Sequence, residues 1–545
     1  MLFLLACAGE PESKAPAETG EVDSACAEDA DNDGACAEVD DCDDADPARY
    51  PLASETCDEL DNNCDGSIDE GVTTAFYADA DADAYGDLAV SVFACAAPTG
   101  FIADTTDCDD TNAEVNPTME EVCNNTLDDN CDGGDYPCGS GPVELTTPMY
   151  EGLGQTGAGV AALGDGDGNG AVDVAVGSPF AMSVDVYTDG DFALSPVSTF
   201  TGDDASDKTG SVLVGPGDVN GDGHADLVIG APYQDGASTN TGDAWVEFGP
   251  FTGGHTIGAG GDRLITWSAG ENLLGSALSG GEFDGDGRSD VLVGAPGYTT
   301  GAGGAFLVPG PITSGIGGLK VSLTGDQVSD GVGTAVLGPV DTNGDGLGDV
   351  IAGAPGWDSA GAAHGGACIV RGPAAFSGKL ADADACVTGD NQHGKSLAAA
   401  DLDGDGYFEL LVGGPNTVLV FSGPFVGTVG SSVATRVISS TTFELGGSMV
   451  IAGDVDADGT TDVALSGINE NPAWVLRGPI PTGAIDLDSG SLPVDSRASV
   501  SAWNIGGTLA APGDLDQDGY DDLVLGQQTF EHGVGGVFVV YGTGL

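Results

Sequence analysis

One nine-residue acidic pattern, D-x-[DN]-x-[DN]-G-x-x-[DE], returns seven times in the chain, and no other feature limits its fold as strongly. The copies are DGDGNGAVD (165–173), DVNGDGHAD (218–226), EFDGDGRSD (282–290, opening on Glu), DTNGDGLGD (341–349), DLDGDGYFE (401–409), DVDADGTTD (454–462) and DLDQDGYDD (514–522). Successive starts lie 53, 64, 59, 60, 53 and 60 residues apart. Repetition at such a period means one supersecondary unit stacked or arranged radially. One step is about the length of a four-stranded propeller blade with generous loops.

The flanks repeat in phase. Small residues precede the loops, as in Gly210-Ser211-Val212 and Gly275-Ser276-Ala277. Short apolar runs follow them, as in DLVIGAP (226–232), DVLVGAP (290–296) and DVIAGAP (349–355). A further run ends in Gly-Pro, as in AWVEFGP (244–250) and VLVFSGP (418–424). Short apolar runs between Gly and Pro punctuation read as buried strands. Gly (92) and Pro (27) together exceed a fifth of the 545 residues, which suits strands joined by tight turns.

These repeats resemble the FG-GAP repeats of integrin α propellers over roughly 400 residues. The Phe of "FG" is mostly absent, and "GAP" degrades to Ser466-Gly467-Ile468 and Gly526-Gln527-Gln528, which implies irregular last blades. The expected fold is all-β: a seven-bladed β-propeller, integrin α-like, preceded by a small disulfide-rich, irregular calcium-binding region. The last copy ends on VFVVYGTGL without a fourth strand, so VELTTPMY (143–150) is expected to complete that blade and seal the ring. Cys368 and Cys386 fall on consecutive strands, where a cross-strand disulfide fits.

The loop spacing carries the chemistry. Oxygen donors at positions 1, 3, 5 and 9 of a tight loop converge on one point, and Gly at position 6 permits the turn. Such an all-oxygen cage suits Ca²⁺. The ligands so assigned are Asp165, Asp167, Asn169 and Asp173; Asp218, Asn220, Asp222 and Asp226; Glu282, Asp284, Asp286 and Asp290; and Asp341, Asn343, Asp345 and Asp349. Asp401, Asp403, Asp405 and Glu409; Asp454, Asp456, Asp458 and Asp462; and Asp514, Asp516, Asp518 and Asp522 complete the set. Position 12 is never Glu (it is Leu525 in the last copy), so these are not EF-hands. Plain Asp-Gly turns are the bland alternative, but seven copies with three or four carboxylates each would repel one another without a cation. About seven structural Ca²⁺ ions are expected, bound tightest by the third, fifth, sixth and seventh loops, whose donors are all carboxylates.

Charge agrees. Lys and Arg total 12 against 88 Asp and Glu, a formal charge of -76. That field opposes compaction unless cations neutralise it, and it disfavours nucleic acid and anionic membranes as partners. A hydrophobic share of 41% argues against disorder for most of the chain.

Ten of the 13 cysteines lie between Cys26 and Cys138, in two related units that suggest an oxidising compartment. The units run Cys36…DDCDD (40–44)…ETCDELDNNCDGSIDE (55–70) and DADADAYGD (79–87)…Cys95…TDCDD (106–110)…EVCNNTLDDNCDGGD (121–135). They resemble small metal-binding repeats of bacterial surface proteins, a family named after a copper-binding outer-membrane protein. Asp61, Asn63, Asp65 and Asp69, and Asp79, Asp81, Asp83 and Asp87, keep the cage spacing, and the region lacks His. Calcium is therefore expected in place of copper, with thiolate ligation the minority reading. The disulfide pairing stays open.

Leu4-Leu5-Ala6-Cys7 resembles the bacterial lipobox, which implies lipidation of Cys7; an accidental match in a leader fragment is the plain alternative. The expected organisation is 1–7 signal remnant, 8–25 acidic tether, 26–138 Cys/Asp-rich repeats and 140–545 propeller. GDNQHGKS (389–396) fits a P-loop expression, yet it leads into a strand and an acidic loop instead of a helix. No catalysis is expected. The reading is a calcium-binding cell-surface lipoprotein, its propeller an adhesion or ligand-binding module for an extracellular protein or polysaccharide, touching membrane only through the lipid. The alternatives are an extracellular hydrolase or lyase, or a metal-sequestering surface protein. By the integrin likeness, ligand contacts are expected from loops 233–243, 297–304 and 356–366, with Tyr233, Tyr298 and Trp357 as anchors.

Overall fold

A computed structural model describes residues 30, 42–43, 45–113, 115–116, 142–144, 150–152, 155–165, 171–188, 196–235, 239–257, 263–266, 270–312, 318–358, 365–372, 375–441, 445–467, 473–488, 497–501, 508–516, 518–530 and 534–542. Cys7, the tether, Cys26, Cys36, Cys123, Cys131, Cys138, Asp167 and Asn169 lie outside the described residues. The chain divides into two units, 1–136 and 137–545.

Among the described residues, the larger unit forms seven sheets built on one plan. In the second, strands Val212–Gly217, Asp226–Ala231, Asp243–Glu247 and Arg263–Thr266 pair antiparallel in chain order. Each acidic loop lies in sequence between the first and second strands of its sheet. All six residues of Asp226–Ala231 are buried, because neighbouring sheets cover both faces. That is why these strands read as unbroken apolar runs, not as alternating ones. Each fully buried Val, Leu or Ile contributes roughly 1.5–3 kcal/mol over the exposed state.

Glycine sets the spacing between sheets. A Cβ on Gly294 would stand 2.1 Å from the carbonyl oxygen of Gly333, and one on Gly526 2.0 Å from that of Gly157. The glycine of "GAP" is thus the point where one sheet meets backbone of the next. The degraded last copies still form their sheets, around Asp462–Gly467 and Asp522–Phe530. The seventh sheet adjoins the first: the Thr508 hydroxyl donates to the Ala158 carbonyl at 2.6 Å. Val160, Val174 and Val176 also share a buried cluster with Val524, Val537 and Val539.

The strand expected to complete the last sheet lies further along than expected. Tyr150–Gly152 pairs antiparallel with Val534–Val540 in the seventh sheet. Pro142–Glu144 instead pairs parallel with Arg497–Ser501 at the edge of the sixth. Similar parallel fifth strands edge the third, fourth and fifth sheets, so Pro142–Glu144 fills a place the repeat already provides. Cys368 and Cys386 are cross-strand partners joined by a disulfide.

In the smaller unit Thr74–Ala78 lies between Asp87–Ala94 and Phe101–Ile102. Disulfides join Cys42 to Cys64 and Cys57 to Cys95, and Cys108 is also disulfide-bonded. The second of these ties one cysteine-rich repeat to the other. It also removes Cys57 and Cys95 as thiolate ligands.

Candidate metal centres

The same hydrogen-bond lattice organises each described acidic loop. The position-6 amide donates to the position-1 carboxylate: Gly223 to Asp218 (2.7 Å), Gly287 to Glu282 (2.6 Å), Gly346 to Asp341 (2.7 Å), Gly406 to Asp401 (2.9 Å), Gly459 to Asp454 (2.8 Å) and Gly519 to Asp514 (2.9 Å). The position-7 amide donates to position 5, as from His224 to Asp222 (3.0 Å) and from Tyr407 to Asp405 (2.8 Å). Position 6 is left-handed throughout, from φ 83° at Gly459 to 98° at Gly519, a conformation that side chains resist. In the first copy Asp165 is exposed and Asp173 fully buried.

The ninth carboxylate has a second task that the spacing does not reveal. Asp226 accepts from Val219 N–H (2.8 Å) at the loop's start and from Gly249 N–H (3.0 Å) at the end of the third strand. Asp462 does the same with Val455 (2.9 Å) and Gly478 (2.7 Å), and Asp522 with Leu515 (2.6 Å) and Gly542 (2.9 Å). Asp349 accepts from Thr342 N–H (2.9 Å) and Gly372 N–H (2.9 Å), and Asp290 accepts from Gly310 N–H (2.8 Å). The recurring Gly-Pro after the third strand was the available signal. Glu409, one methylene longer, keeps the Leu402 bond (2.8 Å), while the Gly423 amide turns to the Phe408 carbonyl.

Electrostatics favour a hard cation. Burial pushes Asp226, Asp290, Asp462 and Asp522 up to about 6 and raises Asp349 and Glu409 as well. Oxygens of Glu282, Asp284 and Asp290 lie within 4.8 Å of one another, as do those of Asp401, Asp403 and Glu409. Asp290 and Glu409 are both fully buried at the base of their loops. An all-oxygen donor set of converging, partly buried carboxylates fits a divalent ion such as Ca²⁺, whose charge would offset that of the loop. Two loops carry a protein cation of their own: Lys320 Nζ stands 2.5 Å from Asp284 Oδ2, and Arg477 Nε 3.5 Å from Asp456 Oδ2.

In the smaller unit, Asp61 accepts from Gly66 N–H (2.9 Å) and Asp65 from Ser67 N–H (2.8 Å), the propeller lattice again. Asp69 is buried and accepts from Asp58 N–H (3.0 Å). Asn63 Oδ1 accepts from Asp65 N–H (2.9 Å). Asp87 opens a strand. Asp79, Asp81 and Asp83 gather with two residues the spacing did not suggest: Asp79 and Asp81 with Asp110, and Asp81 and Asp83 with Asp107. The signal was the repetition of DDCDD (40–44) as TDCDD (106–110). Burial raises Asp81 and Asp107, with neighbouring carboxylates adding to it.

The remaining sequence motifs and loops fare differently. Ser396 after the P-loop-like segment opens a strand, Ser396–Ala400, so no helix N-terminus faces a phosphate. Trp357 is not a surface anchor: it is 6% exposed and packs in a core cluster with Leu323, Val332 and Val350. An aromatic after a turn was free to fold inward, and burial of its ring outweighed exposure. Tyr233 is exposed and Tyr298 half-buried, edge-on to Phe306. Both line a cavity of about 740 Å³ together with Asn240, Glu271, Asn272 and Thr299.

Sheets of this plan with acidic first loops define a metal-binding repeat protein of the propeller class. More particularly, the chain carries FG-GAP repeats, matched at 212–246, 274–308 and 393–429, and the metal-binding motif named Cu-binding MopE, matched at 41–70 and 107–135. It is 28% identical over 257 residues to integrin alpha pat-2 of Caenorhabditis briggsae, covering 42% of this chain and 20% of that protein. With integrin alpha pat-2 of Caenorhabditis elegans it shares 28% over 261 residues, with the same coverage. The chain thus spans about a fifth of the length of these relatives. A solved structure, BBS1N in complex with ARL6DN soaked with lead, aligns with a TM-score of 0.45 at 8% identity, over 72% of this chain and 95% of that one. No helix among the described residues is long and apolar enough to cross a membrane.

Proposed function

We propose that this chain is a calcium-stabilised cell-surface protein whose propeller presents a ligand-binding face to an extracellular protein or polysaccharide. The observation that carries the reading is the cavity at Tyr233, Glu271 and Tyr298. It is lined by Tyr233, Asn240 and residues 297–301, which follow the second strands of their sheets, and by residues 270–273, which precede the next sheet, at the opposite strand ends from the acidic loops. Its lining combines aromatic rings with amide, hydroxyl and carboxylate groups, which suits a polar ligand that stacks and hydrogen-bonds. About seven Ca²⁺ ions at the acidic loops would hold the sheets that position it. The disulfides support an extracytoplasmic setting, and Leu4-Leu5-Ala6-Cys7 supports a lipid anchor at a bacterial surface.

The test is binding of the calcium-loaded full chain to arrayed polysaccharides and extracellular proteins, repeated with Tyr233→Ala and Glu271→Ala. Retention that both substitutions weaken at least about tenfold, roughly 1.4 kcal/mol, supports the reading. Binding unaffected by either, or no binding at all, would overturn it.

A further inference from the structure

We propose that Asp81, Asp83 and Asp107 hold a divalent cation of the calcium class that fastens the hairpin tip 79–86 to the segment 104–110. The site rests on the same reading of acidic loops as cation cages, but it lies apart from the FG-GAP repeats. Asp81 and Asp83 fall outside both matched segments of the metal-binding motif, whereas Asp107 is the first residue of the second.

The three carboxylates offer oxygens within 4.8 Å of one another. Each is fixed through one oxygen by a backbone donor: Asp81 Oδ1 by Asp83 N–H (3.3 Å), Asp83 Oδ1 by Tyr85 N–H (2.9 Å) and Asp107 Oδ1 by Asp109 N–H (2.9 Å). The remaining oxygen of each, Oδ2 in every case, is buried without a hydrogen-bond partner. Asp107 is the decisive member, because it is only 8% exposed. A buried carboxylate oxygen without a partner is costly, and a cation among three that face one another would offset that cost. Asp79 and Asp110 flank the site; Asp110 Oδ1 accepts from Ala80 N–H (2.6 Å), drawing the two segments together.

That charge has no source in this part of the chain. Lys14 and Arg49 are the only basic residues before residue 137, and Arg49 pairs with Asp43 at 2.8 Å. The donors are all oxygen, His is absent from 26–138, and Cys57 and Cys95 are joined to each other. Hard divalent cations are the ligand class such a set selects over copper. The backbones already touch: Asp107 N–H donates to the Gly86 carbonyl at 3.3 Å, and a Cβ on Gly86 would lie 2.6 Å from the Asp104 carbonyl oxygen. The ion would lock a contact the chain has made.

Hydrogen exchange of the full chain, with Ca²⁺ alone as probe and with chelator, tests this peptide by peptide. At free calcium about 100-fold above the dissociation constant, exchange by local opening should slow about 100-fold in 79–86 and in 104–110 together. Asp107→Asn, which keeps the shape and one acceptor, should abolish that protection in both segments, and Asp81→Asn should do the same. Protection confined to one segment, protection surviving both substitutions, or tighter protection by Cu²⁺ than by Ca²⁺ would overturn the proposal. Peptides 218–226 and 401–409 report the propeller loops separately. If they alone respond to calcium, this site fails while the reading of the propeller stands; if no peptide responds, both fail.

Discussion

Gly249 donates its amide to Asp226 across 23 residues, at 3.0 Å, so one carboxylate joins the base of an acidic loop to the far end of its sheet's third strand. The same link joins Asp349 to Gly372, Asp462 to Gly478 and Asp522 to Gly542. Position 9 is therefore a structural clasp as well as a candidate ligand. A cation drawn to it would tighten three strands at once.

Replacing Asp462 by Ala should show the clasp without any metal. The substitution leaves the Val455 and Gly478 amides without their acceptor. Each unsatisfied buried donor costs about 1–3 kcal/mol, so a total loss of about 2–6 kcal/mol is expected. Urea unfolding of the full chain in chelator measures it. A loss under about 0.5 kcal/mol would mean that water replaces the carboxylate at no cost.

The pH dependence of the metal-free protein has a definite sign. Asp226, Asp290, Asp462 and Asp522 are held up at about 6 by burial, against an unfolded value of about 3.9. Folding therefore binds protons at these groups. The stability they contribute is complete below about pH 4 and is lost as pH rises through about 6. In chelator the unfolding midpoint should be higher at about pH 5 than at about pH 7. With calcium the order should reverse, because protons compete with the ion for the same oxygens. A calcium-loaded protein that is also most stable at the lower pH would contradict the assignment of these residues as ligands.

How much of this was legible in the sequence depends on how local the cause was. The seven sheets follow from loop chemistry within nine residues and from strands of four to six, all set by neighbours in the chain. The partners of Asp81 were not legible. Asp107 and Asp110 reach it only because the turn after Phe101–Ile102 returns the chain to the hairpin tip. Nor was the Cys57–Cys95 link, since cysteine spacing fixes equivalence between repeats and not pairing. The misplaced closing strand has a like cause. Pro142–Glu144 and Tyr150–Gly152 are each three residues long, too short for a pattern to say which edge they join.

Calcium affinity should not follow carboxylate count alone. The third and sixth loops match the fifth and seventh in carboxylates, yet Lys320 and Arg477 already stand against Asp284 and Asp456. An ion entering either loop must displace or face a positive charge. Lys320→Met keeps the apolar stem and removes that charge, so it should strengthen binding at the third loop by about 1–2 kcal/mol, roughly five- to thirty-fold. Exchange protection of peptide 282–290 against calcium concentration reads this loop separately. An unchanged midpoint would show that the ammonium moves aside freely.

Position 6 supplies a pair of predictions with opposite signs. Gly406 has φ 88° with open space where a Cβ would go, so Gly406→Ala would introduce strain without a clash. A left-handed alanine costs about 1–2 kcal/mol, which should weaken calcium binding at the fifth loop by about five- to thirty-fold. The equivalent position of the 79–87 loop is already Ala84, at φ 84°. There the strain is native, and Ala84→Gly should relieve it, partly offset by the greater freedom glycine gives the unfolded chain. The expected result is tighter calcium protection of 79–86 in the glycine variant and weaker protection of 401–409 in the alanine variant, both read by hydrogen exchange. If the two substitutions shifted protection in the same direction, left-handed geometry at position 6 would not be what tunes these loops.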